Sequence, residues 1–220
     1  FFITKKNGEI IIIGDNKLGI DFFLKKISDF IKVTIFSKSH GKFGIIKKPL
    51  SIPKGIKIWK KFGKYKKINS DFFTLPGCFS EKGVDKGSFL LASKLIDCLH
   101  GKVADLGAGW GYLSAKALEQ NIRINQIHLI ESNLNALNSA RMNISSIKAK
   151  FNWIDIENEN LYLQNFDHVI MNPPFHKEKQ FKLSMGLYFI KSAKKILSKK
   201  GTLWMVFNKE LSYEKSINDL

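Results

Sequence analysis

The chain has 220 residues, enough to bury one full domain plus part of another. Its apolar content of 44% and mean hydropathy of −0.12 are those of a soluble globular protein, and runs such as Ile10–Ile13 are far too short to span a bilayer. Two cysteines, Cys78 and Cys98, are too few for a disulfide framework or a metal set, so free thiols and a cytoplasmic location are expected. The net charge is +17, and it is uneven: residues 1–70 carry 17 lysines against four acids. A polyanionic partner is expected on that ground.

Phe1-Phe2-Ile3 runs directly into lysines, without the apolar core or cleavage site of a signal peptide. The absence of an initiating Met suggests a fragment of a longer protein. Glu9 to Ile13 reads as a β-branched strand. Leu18 to Phe30 has a helical pattern through Ile20, Phe23, Leu24 and Ile27. Residues 31–36 and 43–46 then read as two strands around a Ser-Lys-Ser-His-Gly turn.

Pro49, Pro53 and Gly55 mark residues 47–70 as a basic linker. Trp59, Phe62 and Tyr65 lie among its lysines, a composition suited to phosphate neutralisation with base stacking. A plain solvated linker in a lysine-rich chain is the alternative.

From Asp71 strands and helices alternate. A helix is expected over 87–100, with an apolar face of Phe89, Leu90, Leu95, Ile96 and Leu99. Strands are expected near 102–106, 126–131, 148–152, 166–171 and 201–207, with helices near 111–121, 133–143 and 179–198. This order predicts an α/β fold, a Rossmann-like, doubly wound and mostly parallel sheet.

An internal echo accompanies it. A shift of 193 residues aligns Lys6–Ile13 with Lys199–Val206, each a basic, glycine-led turn entering an apolar strand. On this reading residues 1–46 are the carboxyl-terminal part of a first, degenerate copy of the fold. Residues 71–220 are then a second copy, expected to be cut short at its carboxyl end.

Val103 to Gly111 reads as a strand entering the glycine-rich loop Gly107-Ala108-Gly109-Trp110-Gly111. Gly107 and Gly109 permit a sharp turn and close approach to a ligand. Tyr112 occupies the place of the third glycine of the dinucleotide fingerprint. Asp105 precedes the loop, where a carboxylate suits a cationic, amine-bearing ligand such as S-adenosylmethionine, or fixes the loop's own amides.

Glu131 closes the next strand 20 residues beyond Gly111, the position of an acid that accepts both ribose hydroxyls. Ser132 and Asn133 are the better helix caps there. Asp155 follows the third strand and is placed to accept from an adenine amino group, with Trp153 or Ile154 packing on the ring.

Asn172-Pro173-Pro174-Phe175-His176 ends a buried strand 65 residues after Gly107. Two prolines remove two backbone donors and make a rigid corner. Such a corner presents the Asn172 side-chain oxygen and the Pro173 carbonyl as a pair of acceptors. Together they hold both hydrogens of a planar amine, so that its nitrogen can pyramidalise toward a methyl donor. Phe175 is placed to stack on the base. No metal and no strong base is needed, because a sulfonium methyl is already activated and positioning supplies much of the rate. His40, His100, His128 and His168 lack ligand spacing and read as structural.

These residues resemble class I S-adenosylmethionine-dependent methyltransferases of the RsmC/RlmG type, in the methyltransferase small domain family. The resemblance rests on Asp105 to Gly111, Glu131 and Asn172 to His176. It extends to Leu75–Ser80 and to Gly83–Ser88, which are similar to a family segment preceding the catalytic domain. It implies transfer of a methyl group to the N2 amine of a guanine in ribosomal RNA, most plainly of the small subunit. It also implies S-adenosylmethionine as cofactor, a ribosomal subunit as partner, a monomer, and an amino-terminal domain that helps bind RNA. Gly87 and Ser88 would lie near the cofactor, and Trp110 departs from the family loop. Methylation of adenine N6 or of a protein glutamine amide shares the same chemistry. A non-catalytic RNA-binding module with a vestigial pocket is the reading outside enzymes.

Overall fold

The computed structural model describes residues 1–68, 71–157, 161–174, 179–208, 213 and 217, without the side chains of 179–184. The chain divides into two compact units, Phe1–Lys64 and Tyr65–Leu220.

The first unit contains strand β1 (Glu9–Asp15), helix α1 (Ile20–Ser28), strands β2 (Thr34–Lys38) and β3 (Gly41–Lys47), and helix α2 (Lys54–Phe62). Its sheet has the order β1-β3-β2, with β3 antiparallel to both neighbours. Ile20, Leu24 and Ile27 recur at helical spacing and form the buried face of α1. Leu24 also packs over β3, where a Cβ at Gly44 would lie 2.6 Å from its methyl.

The stretch expected as a linker is largely structured. Pro53 and Gly63 flank α2 as its caps, so the residues that read as breakers are its start and stop signals. Ile56 is buried. Trp59 stacks on Phe23 at 5.6 Å and meets the edge of Phe30 at the same distance. Trp59 is therefore committed to packing and is not a free platform for a base. Lys54, Lys57 and Lys61 fall on the opposite, exposed side of the helix. Lys66–Ile68 forms strand β4 of the second unit, paired with β5 (Phe72–Thr74).

The second unit continues with α3 (Lys86–Lys94), β6 (Gly101–Leu106), α4 (Tyr112–Gln120), β7 (Ile124–Glu131) and α5 (Leu134–Asn143). It ends with β8 (Ala149–Trp153), β9 (Phe166–Met171), α6 (Lys179–Ile196) and β10 (Leu197–Met205). The five long strands have the order β10-β9-β6-β7-β8, and every described pairing among them is parallel. Central strands buried on both faces need continuous apolar runs, which Val103–Leu106 and Val169–Met171 supply around Asp105.

Alternate residues enter two cores. Val103, Leu129 and Ile170 pack with Leu91, Leu113 and Leu137 of α3, α4 and α5. Ala104, Ile130 and Met171 pack with Phe189, Ile190 and Ala193 of α6. The result is a helix–sheet–helix sandwich whose strand order reverses at β6, and a ligand crevice is expected at the carboxyl ends of the strands flanking such a point.

Helix α3 is shorter than its sequence suggested and turned differently. It ends at Lys94 with Leu95 as its C-cap, so Ile96 falls outside its period, and the buried apolar positions of this stretch include Leu91, Ala92, Leu95 and Leu99. Phe89, Leu90 and Ile96 are more than half exposed.

Gly111, the N-cap of α4, has φ +88, and a Cβ there would sit 3.0 Å from Ala140 Cβ on α5. Gly111→Ala is expected to destabilise the second unit by about 1–3 kcal/mol. A urea unfolding midpoint equal to that of the parent chain would show that the turn carries no such strain.

Candidate active site

The carboxyl ends of β6, β7 and β9 enclose a cavity of about 550 Å³, lined among others by Gly77, Cys78, Phe79, Gly107, Gly109, Glu131, Ile154, Asp155, Asn172 and Phe189. A smaller pocket of about 40 Å³ adjoins it, between Phe79, Asp85, Ser88, Gly109, Trp110 and Asn172. Gly107, Gly109 and Asn172 border both.

The glycine loop is held by hydrogen bonds from Gly107 N and Ala108 N to Ile130 O, at 2.9 and 3.2 Å. Gly109 has φ +56, and a Cβ built on it would meet nothing within 4 Å. The backbone conformation, not crowding within the protein, is what calls for glycine there.

Glu131 lines the large cavity and ties its two sides together. Its Oε2 accepts from Gly109 N at 2.8 Å, and its Oε1 accepts from Asn133 N at 2.7 Å. A carboxylate offers about four lone-pair sites, so each oxygen keeps room for a ligand hydroxyl. Asn133 is the N-cap of α5, accepting from Asn135 N and Ala136 N.

Asp155 also lines the cavity, and its Oδ1 accepts from Glu157 N at 3.1 Å. Of the two residues offered for packing on an adenine, the cavity wall contains Ile154. Trp153 is 61% exposed and donates its indole N–H to Ser132 O.

Asp105 stands apart from the other expected cofactor residues. It is fully buried behind the loop, absent from the lining of both cavities, and its Oδ2 accepts from the Ser114 hydroxyl at 2.7 Å. Its Oδ1 has no hydrogen-bond partner among the described residues. Contact with a ligand and fixing of the loop's amides were the two roles expected of this carboxylate, and its hydrogen bond to Ser114 adds support of the first turn of α4.

Asn172 ends β9 with its side chain in the crevice. Its Nδ2 donates to Asp85 Oδ2 at 2.9 Å and to Ser88 Oγ at 2.8 Å. Pro173 is buried and Pro174 lines the large cavity. Phe175, His176 and Lys177 lie outside the described residues. Ser88 was expected near the cofactor by resemblance alone, and a contact of Asp85 or Ser88 with Asn172 was not expected. The local signal at Asp85 is that of a helix cap, and it says nothing of a partner at residue 172.

Trp110, the departure within the loop, braces the opposite wall. It is buried, its indole N–H donates to Phe79 O at 3.0 Å, and its ring lies 5.2 Å from Phe72. Asn143 adds hydrogen bonds to Trp110 O and to both backbone groups of Phe73. Burial pushes the Cys78 thiol up, so it stays protonated on the cavity wall. Burial likewise lowers His128 to about 4, a neutral ring hydrogen-bonded to Gln126. Among the described residues no group of three or more His, Cys, Asp or Glu is placed to hold a metal, and no helix is long and apolar enough to cross a membrane.

A parallel sheet with a glycine loop, a strand-ending acid and a polar corner at its switch point defines a doubly wound α/β fold with its crevice at the carboxyl ends of the strands. The chain belongs to the methyltransferase small domain family, whose model matches residues 69–220. The ribosomal RNA small subunit methyltransferase C of Buchnera aphidicola from Acyrthosiphon pisum is 36% identical over 91% of this chain and 59% of its own length. That of Buchnera aphidicola from Baizongia pistaciae is 32% identical over 97% of this chain and 66% of its own. The chain thus spans about three-fifths to two-thirds of the length of these relatives. The T. thermophilus 16S rRNA N2 G1207 methyltransferase (RsmC), solved with AdoMet and guanosine, matches with a TM-score of 0.78 at 22% identity, over 98% of this chain and 60% of that one. The fold is the Rossmann-like fold of class I methyltransferases.

Burial is the main reason the Asp105 carboxyl is pushed up to about 7, with Ser114 opposing the rise and the Glu131 charge adding to it. Below its ordinary value of 3.8 it is protonated in folded and unfolded chains alike, and its contribution to stability is full. As pH climbs toward 7 the unfolded chain ionises first, and that contribution is lost. Asp105→Asn keeps an acceptor for Ser114 and should gain stability relative to the parent between about pH 4 and pH 7. Unfolding midpoints of both proteins across that range check this, and a pH-independent difference contradicts it.

Proposed function

We propose that this chain is part of an S-adenosylmethionine-dependent methyltransferase that acts in the cytoplasm on the N2 amine of a guanine in small-subunit ribosomal RNA. The observation that carries the reading is the donor set of the crevice. In a protein of net charge +17, the described lining of the large cavity includes Glu131, Asp155 and Glu157 and neither lysine nor arginine. Such a wall disfavours a pyrophosphate and suits a cationic ligand with ribose hydroxyls and an amino group. A volume of about 550 Å³ is within the range of small-molecule sites. The names of the relatives and of the matching structure support the same substrate.

When bound, the cofactor supplies an electrophilic methyl group on a sulfonium. Glu131 would hold its ribose through the free lone pairs of both oxygens, Gly107 and Gly109 would allow its close approach, and Ile154 and Asp155 would meet its base. Asp105 acts from behind the loop. At the other side Asn172 accepts an N–H of the guanine amine through its side-chain oxygen, and the Pro173 carbonyl accepts the other. Phe175, outside the described residues, is the residue proposed to stack on the base, which must leave its paired or stacked context to enter. These contacts orient a nitrogen whose lone pair is otherwise conjugated into the ring.

The amino-terminal unit, on this reading, is the end of a related domain that engages RNA. The pattern β1-α1-β2, with β3 inserted between the two strands, supports descent from a doubly wound sheet. Its α2 presents Lys54, Lys57 and Lys61 on one exposed side.

Asn172→Ala should lower methyl transfer to small-subunit RNA by about 10²–10³-fold or more while cofactor affinity stays within a few-fold. Transfer of labelled methyl together with titration calorimetry of the cofactor measures both, and near-normal turnover would remove the role given to Asn172. Replacing Lys54, Lys57 and Lys61 together by Ala should weaken RNA binding and reduce the slope of log K against log salt by about 2–3. An unchanged slope would return α2 to a purely structural part.

A further inference from the structure

Asn172 is an amide, and the two ends of an amide differ in chemistry but hardly in shape. With its oxygen toward the acceptor amine it accepts an N–H. Turned by half a rotation, it would offer a second donor to a group that is itself a donor. A site that works through this side chain needs something to decide between the two orientations.

We propose that Asp85, with Ser88, is the positioning device that locks the Asn172 amide in its acceptor-presenting orientation; this rests on the reading of Asn172 given above. An ionised carboxylate only accepts hydrogen bonds, so whichever end of the amide faces Asp85 Oδ2 must be the nitrogen. The separation is 2.9 Å, and the second Nδ2 hydrogen goes to Ser88 Oγ at 2.8 Å. Both hydrogens of the amide are thereby spent on α3, and the end left for the crevice is Oδ1. A hydrogen bond to a carboxylate is roughly twice as strong as one between neutral groups, so the flipped state is strongly disfavoured.

The lock is itself held. Asp85 Oδ2 also accepts from Ser88 N at 2.9 Å as the N-cap of α3, where the helix N-terminus favours a negative charge. A Cβ at Gly87 would lie 3.0 Å from the same oxygen. The carboxylate therefore sits in a slot that a larger residue at 87 would crowd. Asp85, Ser88 and Asn172 all border the small pocket beside the glycine loop. Residues 87 positions apart in sequence thus set the polarity of one side chain at the reacting amine.

The test is Asp85→Asn in the full chain. Asn caps a helix about as well as Asp, so the fold and the thermal midpoint should hold. The new amide, however, can present a donor to residue 172 and release the choice of orientation. The expected result is a kcat for RNA methylation lower by about tenfold or more, with KM for RNA and the Kd for the cofactor within about twofold. Ser88→Ala removes one of the two acceptors and should give a smaller loss of the same kind. A kcat within twofold of the parent overturns the proposal. So does a loss matched by weaker cofactor binding or a lower midpoint, which would make Asp85 a binding or structural residue.

Side-chain NMR of the Asn172 amide separates this from the function itself. Its two protons should exchange slowly in the parent and faster in Asp85→Asn, without any substrate present. Slow exchange in a parent protein that methylates no guanine would leave the lock intact and reject the proposed reaction. Fast exchange in an active parent would reject the lock alone.

Discussion

The carboxylate of Glu131 is the joint on which the crevice depends. It stands at the end of β7 and binds the amide of Gly109 on one side and that of Asn133 on the other. Through the first it fixes the loop that follows β6, and through the second the start of α5. The far end of α5 returns to the same place: Asn143 binds the backbone of Phe73 and Trp110, and Ser139 Oγ accepts from Leu75 N. Segment 72–80 is held against the sheet in this way and becomes a wall of the cavity. Asn172 completes the ring from β9, anchored to α3. Groups drawn from β6, β7, β9 and three helices converge because each strand ends at the one edge where the sheet order reverses.

Charge is segregated within the chain. A chain with 36 basic and 19 acidic residues lines its principal cavity with carboxylates and puts lysines on an exposed helix side. The two features answer different chemistry. Lysines on a surface attract a polyanion without reading its sequence. Carboxylates in a concave site select against phosphate and favour a cation. Asp105, fully buried behind the loop and pushed up to about 7 by that burial, contributes little charge of its own to this wall.

Local chemistry was the legible part. The apolar runs of β6, β7 and β9, the glycine spacing at 107–111, the acid ending β7 and the Asn-Pro-Pro corner each follow from neighbours in sequence, and each occupies the expected place. What escaped depended on partners far along the chain. Asp85 announces itself only as a helix cap, and its bond to Asn172 exists because the sheet brings β9 beside α3. Helix α2 was obscured by the proline and glycine that delimit it, and Trp59 by an aromatic cluster with α1 that no spacing rule exposes. The exposure of Phe89 and Leu90 escaped for a related reason: packing against the sheet selects Leu91, Ala92 and Leu95 as the buried side of α3, and local sequence does not show that choice. Trp153 carries the larger ring, yet the cavity wall contains Ile154, the residue just past the end of β8.

The account turns on which atom receives the methyl group. The direct measurement is incubation of the protein with isotopically labelled S-adenosylmethionine and small ribosomal subunits lacking the modification, followed by mass spectrometry of the RNA nucleosides and of the ribosomal proteins. The expected result is label in N2-methylguanosine and in no other nucleoside. Label in N6-methyladenosine, label on a protein glutamine, or bound cofactor with no transfer at all would contradict it.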